Sequence, residues 1–229
     1  MRIGFLVFER VTQLDLTGPF EVFASLRDAE LLLISHQLTP VHSDRGLVLT
    51  PTSTYATSPP CHILVVPGGP GINTLLNDQP TLEFLQRASL TSRYLTSVCT
   101  GSLLLAAAGL LQGHRAATHW NAHTFLAQLG AIPVAERTVI DGPFVTGGGV
   151  TAGIDFALTL VAHIYGQDLA ERIQLSLEYQ PNPPFNSGSP ETARPEILAA
   201  YQTEALPMIT ERTAAVARAR QRLIESGKL

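Results

Sequence analysis

The residues of this chain best suited to covalent chemistry lie in Thr96-Ser97-Val98-Cys99-Thr100-Gly101-Ser102-Leu103. Cys99 follows the apolar run Tyr94–Val98, which reads as a buried strand, and precedes Ser102–Leu111, an Ala- and Leu-rich run that reads as a helix. A side chain at such a turn points out of the sheet, and its small neighbours let the backbone bend sharply. The arrangement is the thiol counterpart of a nucleophile elbow, although only half of the G-x-S-x-G pattern is present. A helix N-terminus carries partial positive charge and free N–H groups, so it is expected to favour thiolate and lower the Cys99 pKa. The competing reading is a buried structural cysteine, a common fate of lone cysteines. Cys61, before a strand in Pro59-Pro60-Cys61-His62, has no helix behind it and reads as a packing residue.

Asp15 sits in Gln13-Leu14-Asp15-Leu16-Thr17-Gly18-Pro19, after the first strand and just before a helix. Its flanking leucines imply partial burial, which raises a carboxyl pKa and suits proton exchange near neutrality. A helix-start carboxylate or Asx turn is an equally open reading. Gly68-Gly69-Pro70-Gly71 follows a strand and could turn backbone N–H groups toward a developing anion, or form a plain tight turn. Gly147-Gly148-Gly149 precedes a helix and permits close approach of backbone or ligand. His119 and His123 stand four residues apart with no third ligand at metal spacing, so His119 reads as a packed or pocket-lining residue and no metal site is expected.

The elements that must position these groups alternate between strand and helix. Ile3–Phe8, Leu31–Ser35, Ile63–Val66, Tyr94–Val98, Arg115–His119, Thr138–Ile140 and Phe144–Thr146 read as strands, with a small hairpin around Gly46–Leu49. Thr17–Asp28, Pro80–Leu90, Ser102–Leu111, Trp120–Leu129, Thr151–Tyr165 and Leu169–Tyr179 read as helices. Pro181–Pro190 is a loop, and Glu191–Ser226 has helical composition, strongest from Glu211 onward. The alternation predicts an α/β fold, a mostly parallel sheet with helices on both faces. In such folds the working groups gather at the carboxyl ends of the strands, where the motifs above fall. The expected organisation is one domain over residues 1–229, with 191–229 as a C-terminal helical extension.

Composition narrows the chemistry. Charged residues make up 15% of the 229, against roughly 25% in ordinary soluble proteins, which implies much buried surface or a surface covered by a partner. The one lysine, Lys228, excludes a phosphate-loop lysine and nearly excludes a pyridoxal Schiff base. A net charge of −4 with scattered arginines lacks the basic stripe of a nucleic-acid binder. Two cysteines build neither a disulfide framework nor a four-thiolate zinc site. The longest apolar run, Leu103–Leu111, is far short of the ~20 residues that span a bilayer, and the apolar N-terminal run is too short for a signal peptide. A cytoplasmic protein without membrane contact is expected.

Five motifs in order, Leu14–Pro19, Val66–Gly69, Ser97–Ser102, Ala117–Trp120 and Thr146–Asp155, together resemble the ThiJ/PfpI superfamily of glutamine-amidotransferase-like folds. Within it they are most similar to the isocyanide (isonitrile) hydratases. The likeness runs from the first strand to Pro190 and is weakest in the last helix. It implies a flavodoxin-like three-layer sandwich, a homodimer, and a cofactor-independent enzyme taking a small isocyanide to an N-substituted formamide. It also implies Cys99 as nucleophile and Asp15 as acid/base. Thr100 would offer its N–H and hydroxyl to the substrate, and Gly69, beside Gly68, the facing N–H. Val150 would line the pocket, with His119 as a further neighbour. Protease-like members of the superfamily carry histidine directly after the cysteine; Thr100 stands there instead, which argues against a Cys-His acyl-transfer pair. The alternatives are a glyoxalase- or deglycase-like enzyme acting on reactive carbonyls, and a cysteine-based redox sensor. A regulator with a DNA-reading module is disfavoured, because only ~40 residues follow the Pro-rich loop.

Overall fold

In the computed structural model, which describes residues 1–229, the apolar runs become a seven-stranded sheet. The strands in chain order are β1 (Arg2–Leu6), β2 (Glu30–Ser35), β3 (Val41–His42), β4 (Val48–Leu49), β5 (Ser53–Thr54) and β6 (Ile63–Val66). They continue as β7 (Tyr94–Val98), β8 (Arg115–Ala116), β9 (Ile132–Pro133), β10 (Thr138–Asp141) and β11 (Phe144–Gly147). The helices are α1 (Gln13–Ala24), α2 (Ile72–Leu75), α3 (Gln79–Ser89), α4 (Gly101–Ala107) and α5 (His123–Gln128). Three more follow: α6 (Ala152–Tyr165), α7 (Gln167–Ser176) and α8 (Pro195–Glu225). Main-sheet order is β10-β11-β7-β6-β1-β2-β5, parallel except for the β10–β11 hairpin. This is the expected flavodoxin-like α/β sandwich.

Because successive strand residues face opposite sides, the continuous apolar strands feed two cores. Leu64 and Val66 of β6 join a core with α2, α3, α4, α5 and α8, while Ile63 and Val65 join one with α1, α6 and α7. Burial on both faces accounts for the Val/Ile/Leu runs and for part of the low charge content. No helix is long and apolar enough to cross a membrane.

Several boundaries differ from the sequence reading. Helix α1 begins at Gln13 rather than Thr17, because Thr12 is anchored through its N–H to the Gly68 carbonyl (2.9 Å) and its own carbonyl takes the Asp15 N–H (3.1 Å). Asp15 therefore lies inside the first turn, and Pro19 inside the helix. The strand expected over Arg115–His119 is only Arg115–Ala116; it pairs with β9 in a separate two-stranded sheet. Trp120–Leu129 is a 3-10 turn (Trp120–Ala122) followed by α5, broken where Ala122 takes φ −120° and ψ 0°.

The last helix is one 31-residue element, Pro195–Glu225, within the stretch Glu191–Ser226 whose composition reads as helical. Its C-terminal half carries Ala215, Val216, Ala219 and Leu223 into the first core. Asn77 Nδ2 donates to the Ala215 carbonyl (2.9 Å), and Arg222 donates to Asn77 Oδ1 and to the Leu76 and Ala107 carbonyls. The helix is thus fastened to α2 and α4. Leu223→Ala should lower unfolding stability by about 2–5 kcal/mol, the usual loss for a buried leucine, as read by urea denaturation. A loss near zero would mean that α8 does not pack as described.

Candidate active site

Four adjacent parallel strands, β1, β6, β7 and β11, end on one edge of the sheet, and the expected site residues gather there. Past β7 the chain makes the anticipated sharp turn: Cys99 sits at φ +56°, a left-handed conformation that non-glycine residues rarely adopt. The turn is held on several sides. The Cys99 N–H donates to the Gly147 carbonyl (3.1 Å), and its carbonyl accepts from Thr118 Oγ1 (3.0 Å) and Ser102 Oγ (3.2 Å). Beyond it Gly101 is pressed so closely against β6 that an added Cβ would lie 2.0 Å from the Val66 carbonyl oxygen.

Helix α1 brings Asp15 opposite the thiol. The carboxyl is completely buried; Oδ2 accepts the Gly68 N–H at 2.9 Å, and Oδ1 is buried without a hydrogen-bond partner. Burial pushes the Asp15 pKa up to about 7, against the opposing pull of the Gly68 N–H and of Cys99. The expected rise is present, and its cause is the expected one. A neutral carboxyl whose Oδ2 is already an acceptor carries its proton on Oδ1. Gly68 must be glycine for this contact, since a Cβ there would fall 2.6 Å from the Thr100 nitrogen and 2.8 Å from Asp15 Oδ2.

The Cys99 thiol departs from expectation. It is buried, only 5% exposed, and burial followed by the nearby Asp15 charge pushes its pKa well up rather than down. The Thr100 N–H and the Arg212 charge pull the other way and are outweighed. Helix α4 has only seven residues, so its dipole is small beside the cost of burying an anion. The relevant species is therefore the pair: a thiolate at Cys99 is favoured when the proton resides on Asp15, and two adjacent anions are not.

The glycine-rich turn also differs from the open cradle expected of it. The Gly68 N–H is engaged by Asp15, and the Gly69 N–H donates to Thr100 Oγ1 at 3.0 Å. The Thr100 N–H lies on the sulfur side and pulls the Cys99 pKa down. These groups position the acid and the thiol, leaving the Thr100 hydroxyl proton as the donor free to point at a ligand. Cys61 is buried away from this edge, its thiol also pushed up by burial.

Cys99 and Thr100 open onto a cavity of about 640 Å³ that Gly69, Val150 and His119 also line. His119 caps the 3-10 turn, its Nδ1 within 2.9 Å of Asn121 Oδ1, and burial holds its pKa below the ordinary histidine value. It is a neutral wall residue. No group of three metal-ligating side chains exists in the chain. The sequence reading missed the far wall, where α8 supplies Tyr201, Glu204, Ala205, Met208 and Arg212. The available signal was amphipathic: a helix continuous through Pro207 carries Tyr201, Met208 and Arg212 roughly on one face.

The DJ-1/PfpI family model matches residues 1–163. The chain is 51% identical over 223 residues to the isonitrile hydratase of Pseudomonas putida, covering 97% of this chain and 98% of that protein. The fold is similar to the crystal structure of a ThiJ/PfpI family protein from Pseudomonas syringae, with a TM-score of 0.91, 41% identity and coverage of 94% and 90% of the two chains. A Pseudomonas aeruginosa HTH-type transcriptional regulator, GbdR, is 32% identical over 188 residues, but this chain spans only 50% of its length.

The raised Asp15 pKa links stability to pH. Between the ordinary carboxyl value of 3.8 and about 7, the folded state binds a proton that the unfolded state has released, so stability falls as pH rises through that window. In Asp15→Asn this contribution to the slope should vanish. Urea denaturation at pH 5 and pH 7.5 reads it; an unchanged slope would show that Asp15 titrates normally.

Proposed function

The chain belongs to the DJ-1/PfpI family, and we propose that it is an isocyanide hydratase, converting R–N≡C and water to R–NH–CHO. The observation that carries this reading is the buried Asp15 carboxyl facing the buried Cys99 thiol, with no histidine hydrogen-bonded to that thiol. The near full-length likeness to the Pseudomonas putida isonitrile hydratase supports it. An isocyanide needs a soft nucleophile and one proton, and it has no leaving group to expel. The Asp15–Cys99 pair supplies those two things.

The reaction balances on groups of this chain. Asp15 Oδ1 takes the Cys99 thiol proton as substrate arrives, and the thiolate adds to the terminal carbon while that carbon takes the proton from Asp15, giving the thioimidate Cys–S–CH=N–R. The Thr100 hydroxyl, whose oxygen already accepts the Gly69 N–H, donates to the nitrogen as that atom gains its lone pair in the thioimidate. Asp15, now a carboxylate, takes one proton from water as the hydroxide adds to the same carbon. The C–S bond then breaks, the hydroxyl proton ends on nitrogen, and the formamide leaves with Cys99 again a thiolate and Asp15 again protonated. Apolar lining from Val150 and Met208 suits the carbon part of R. A pure redox-sensing role fits less well, because a thiol 5% exposed and raised in pKa is a poor target for oxidants.

We further propose that the protein works as a cytoplasmic homodimer. Apolar side chains left in the open, such as Leu47, Val48, Phe185 and Leu206, support a covered face. Sedimentation should give twice the 24.6 kDa chain mass; a monomer at micromolar concentration would refute this.

Cys99→Ala should abolish formamide production from an alkyl isocyanide, while Cys61→Ala leaves it largely intact. Equal losses would sink the assignment. Asp15→Asn, which cannot give up a proton, should lose activity by roughly 100-fold or more, the scale of a general acid–base contribution. Thr100→Val should retain binding but turn over more slowly. An adduct of isocyanide mass on Cys99, captured by quenching the wild type during turnover, reads the covalent step directly.

A further inference from the structure

Arg212, on α8, is among the most deeply buried side chains of the molecule, at 2% exposure, and it carries a full charge. Its Nε donates to Asn73 Oδ1 at 3.0 Å, and this is its one hydrogen bond within the protein. None of the ion pairs of the chain, taken to 4.0 Å, includes it. The adjacent Glu211 carboxylate is turned to Asn73 Nδ2 instead, at 3.1 Å. Asn73 is thereby fixed between Glu211, the Met208 carbonyl (3.2 Å) and Arg212, so that it holds the guanidinium by one edge. The rest of the fork belongs to the wall of the Cys99 cavity. An unpaired buried guanidinium is costly, and proteins ordinarily oppose it with a carboxylate. Here the Glu211 carboxylate opposes it only through space, with no ion pair inside 4.0 Å.

The remaining charges around the cavity do not fill that role. Glu204 and Arg45 are exposed at its mouth, and Asp44 accepts from Thr12 Oγ1 through Oδ2 at 3.1 Å, its Oδ1 being buried without a partner, with no ion pair to Arg212 inside 4.0 Å. Charges facing water are screened, whereas one on the floor is not. A thiolate at Cys99 also feels Arg212, but that sulfur already has the Thr100 N–H and Asp15, and it cannot take a two-pronged fork. A planar guanidinium held by Nε alone matches a carboxylate, which accepts two parallel N–H bonds.

We propose that Arg212 is the anchor of an anion subsite in this cavity, and that the isocyanide taken by the enzyme carries a carboxylate on its substituent. This rests on the hydratase reading above. Asn73 positions the anchor in the cavity that Cys99 and Thr100 also line, so the group selected is an acid on the isocyanide's substituent. Hydration of such a substrate yields an N-formyl amino acid: isocyanoacetate plus water gives N-formylglycine.

Isocyanoacetate and its methyl ester share a skeleton and differ in charge. Wild-type protein should show kcat/KM higher for the carboxylate by about tenfold or more, the scale of a charged hydrogen bond. The ratio should fall to near one in Arg212→Met and lie between in Arg212→Lys, with thermal melts confirming that each variant is folded. A wild-type ratio of one or less overturns the proposal and needs no variant. If neither isocyanide is hydrated the hydratase reading fails, and titration of Cys99→Ala with N-formylglycine against its methyl ester reads the subsite alone. Tighter binding of the free acid, lost on adding Arg212→Met, sustains the subsite; equal binding of acid and ester overturns it.

Discussion

Cys99 occupies a left-handed backbone conformation at the end of a buried strand, and the rest of the site depends on keeping it there. Such a conformation costs roughly 1–3 kcal/mol for a residue with a Cβ, and it persists only where the surroundings over-determine it. Here they do so from three directions. Strand β11 fixes the Cys99 N–H, the hydroxyls of Thr118 and Ser102 fix its carbonyl, and Gly101 lets α4 start directly against β6. The result is a sulfur pointed across the sheet edge at α1. The sulfur borders the second core and still reaches the cavity.

The same crowding sets the electrostatics. Both Asp15 and Cys99 are withdrawn from water, so neither group ionises easily; a charge on Asp15 pushes the Cys99 pKa further up, while Cys99 pulls that of Asp15 down. A buried pair of this kind holds one proton between two sites. That condition suits an addition reaction better than an acyl transfer. Acyl transfer needs a base that later protonates a departing amine or alcohol. Addition to an isocyanide needs a nucleophile and a proton delivered to the same carbon, and one carboxyl that starts protonated serves as acid first and base afterwards. The Gly68 N–H bond to Oδ2 leaves Oδ1 without a partner, the oxygen available to the proposed transfers.

Much of this was legible in the sequence, for identifiable reasons. Parallel strands buried on both faces have continuous apolar runs, so β1, β6 and β7 stand out. The strand–Cys99–small residue–helix order reveals the turn, and the leucines around Asp15 foretell its burial. What could not be read depends on long-range packing. The direction of the Cys99 pKa shift is decided by total burial and by a carboxyl 84 positions away in the chain, and local sequence displays only the helix end, whose influence is the weaker. Gly68 and Gly69 look like free donors until Asp15 and Thr100 are placed against them. Arg212 carries no motif at all. A single arginine in a long helix reads as a solvated face, and only the docking of α8 on α2, through Asn73 and Asn77, turns it inward.

That docking divides the labour between the two ends of the chain. The strand ends, where the geometry is rigid and the tolerance for a misplaced sulfur is small, carry the bond-making groups. Helix α8 brings its wall from outside the sheet framework, fastened at its C-terminal half by Leu223, Arg222 and Ala215, while residues 201–208 reach over the cavity with much of their surface in solvent. A wall built this way can change its side chains without disturbing Cys99, because its contacts with the catalytic turn pass through the cavity rather than through the core. Selectivity for the substituent, as proposed, suits α8 on physical grounds: it lines the site but does not set the geometry of the acid or the thiol. A charge placed on that wall is the most economical discriminator available to it, since burial multiplies the difference between a charged and a neutral partner, where apolar contacts distinguish substituents only by size.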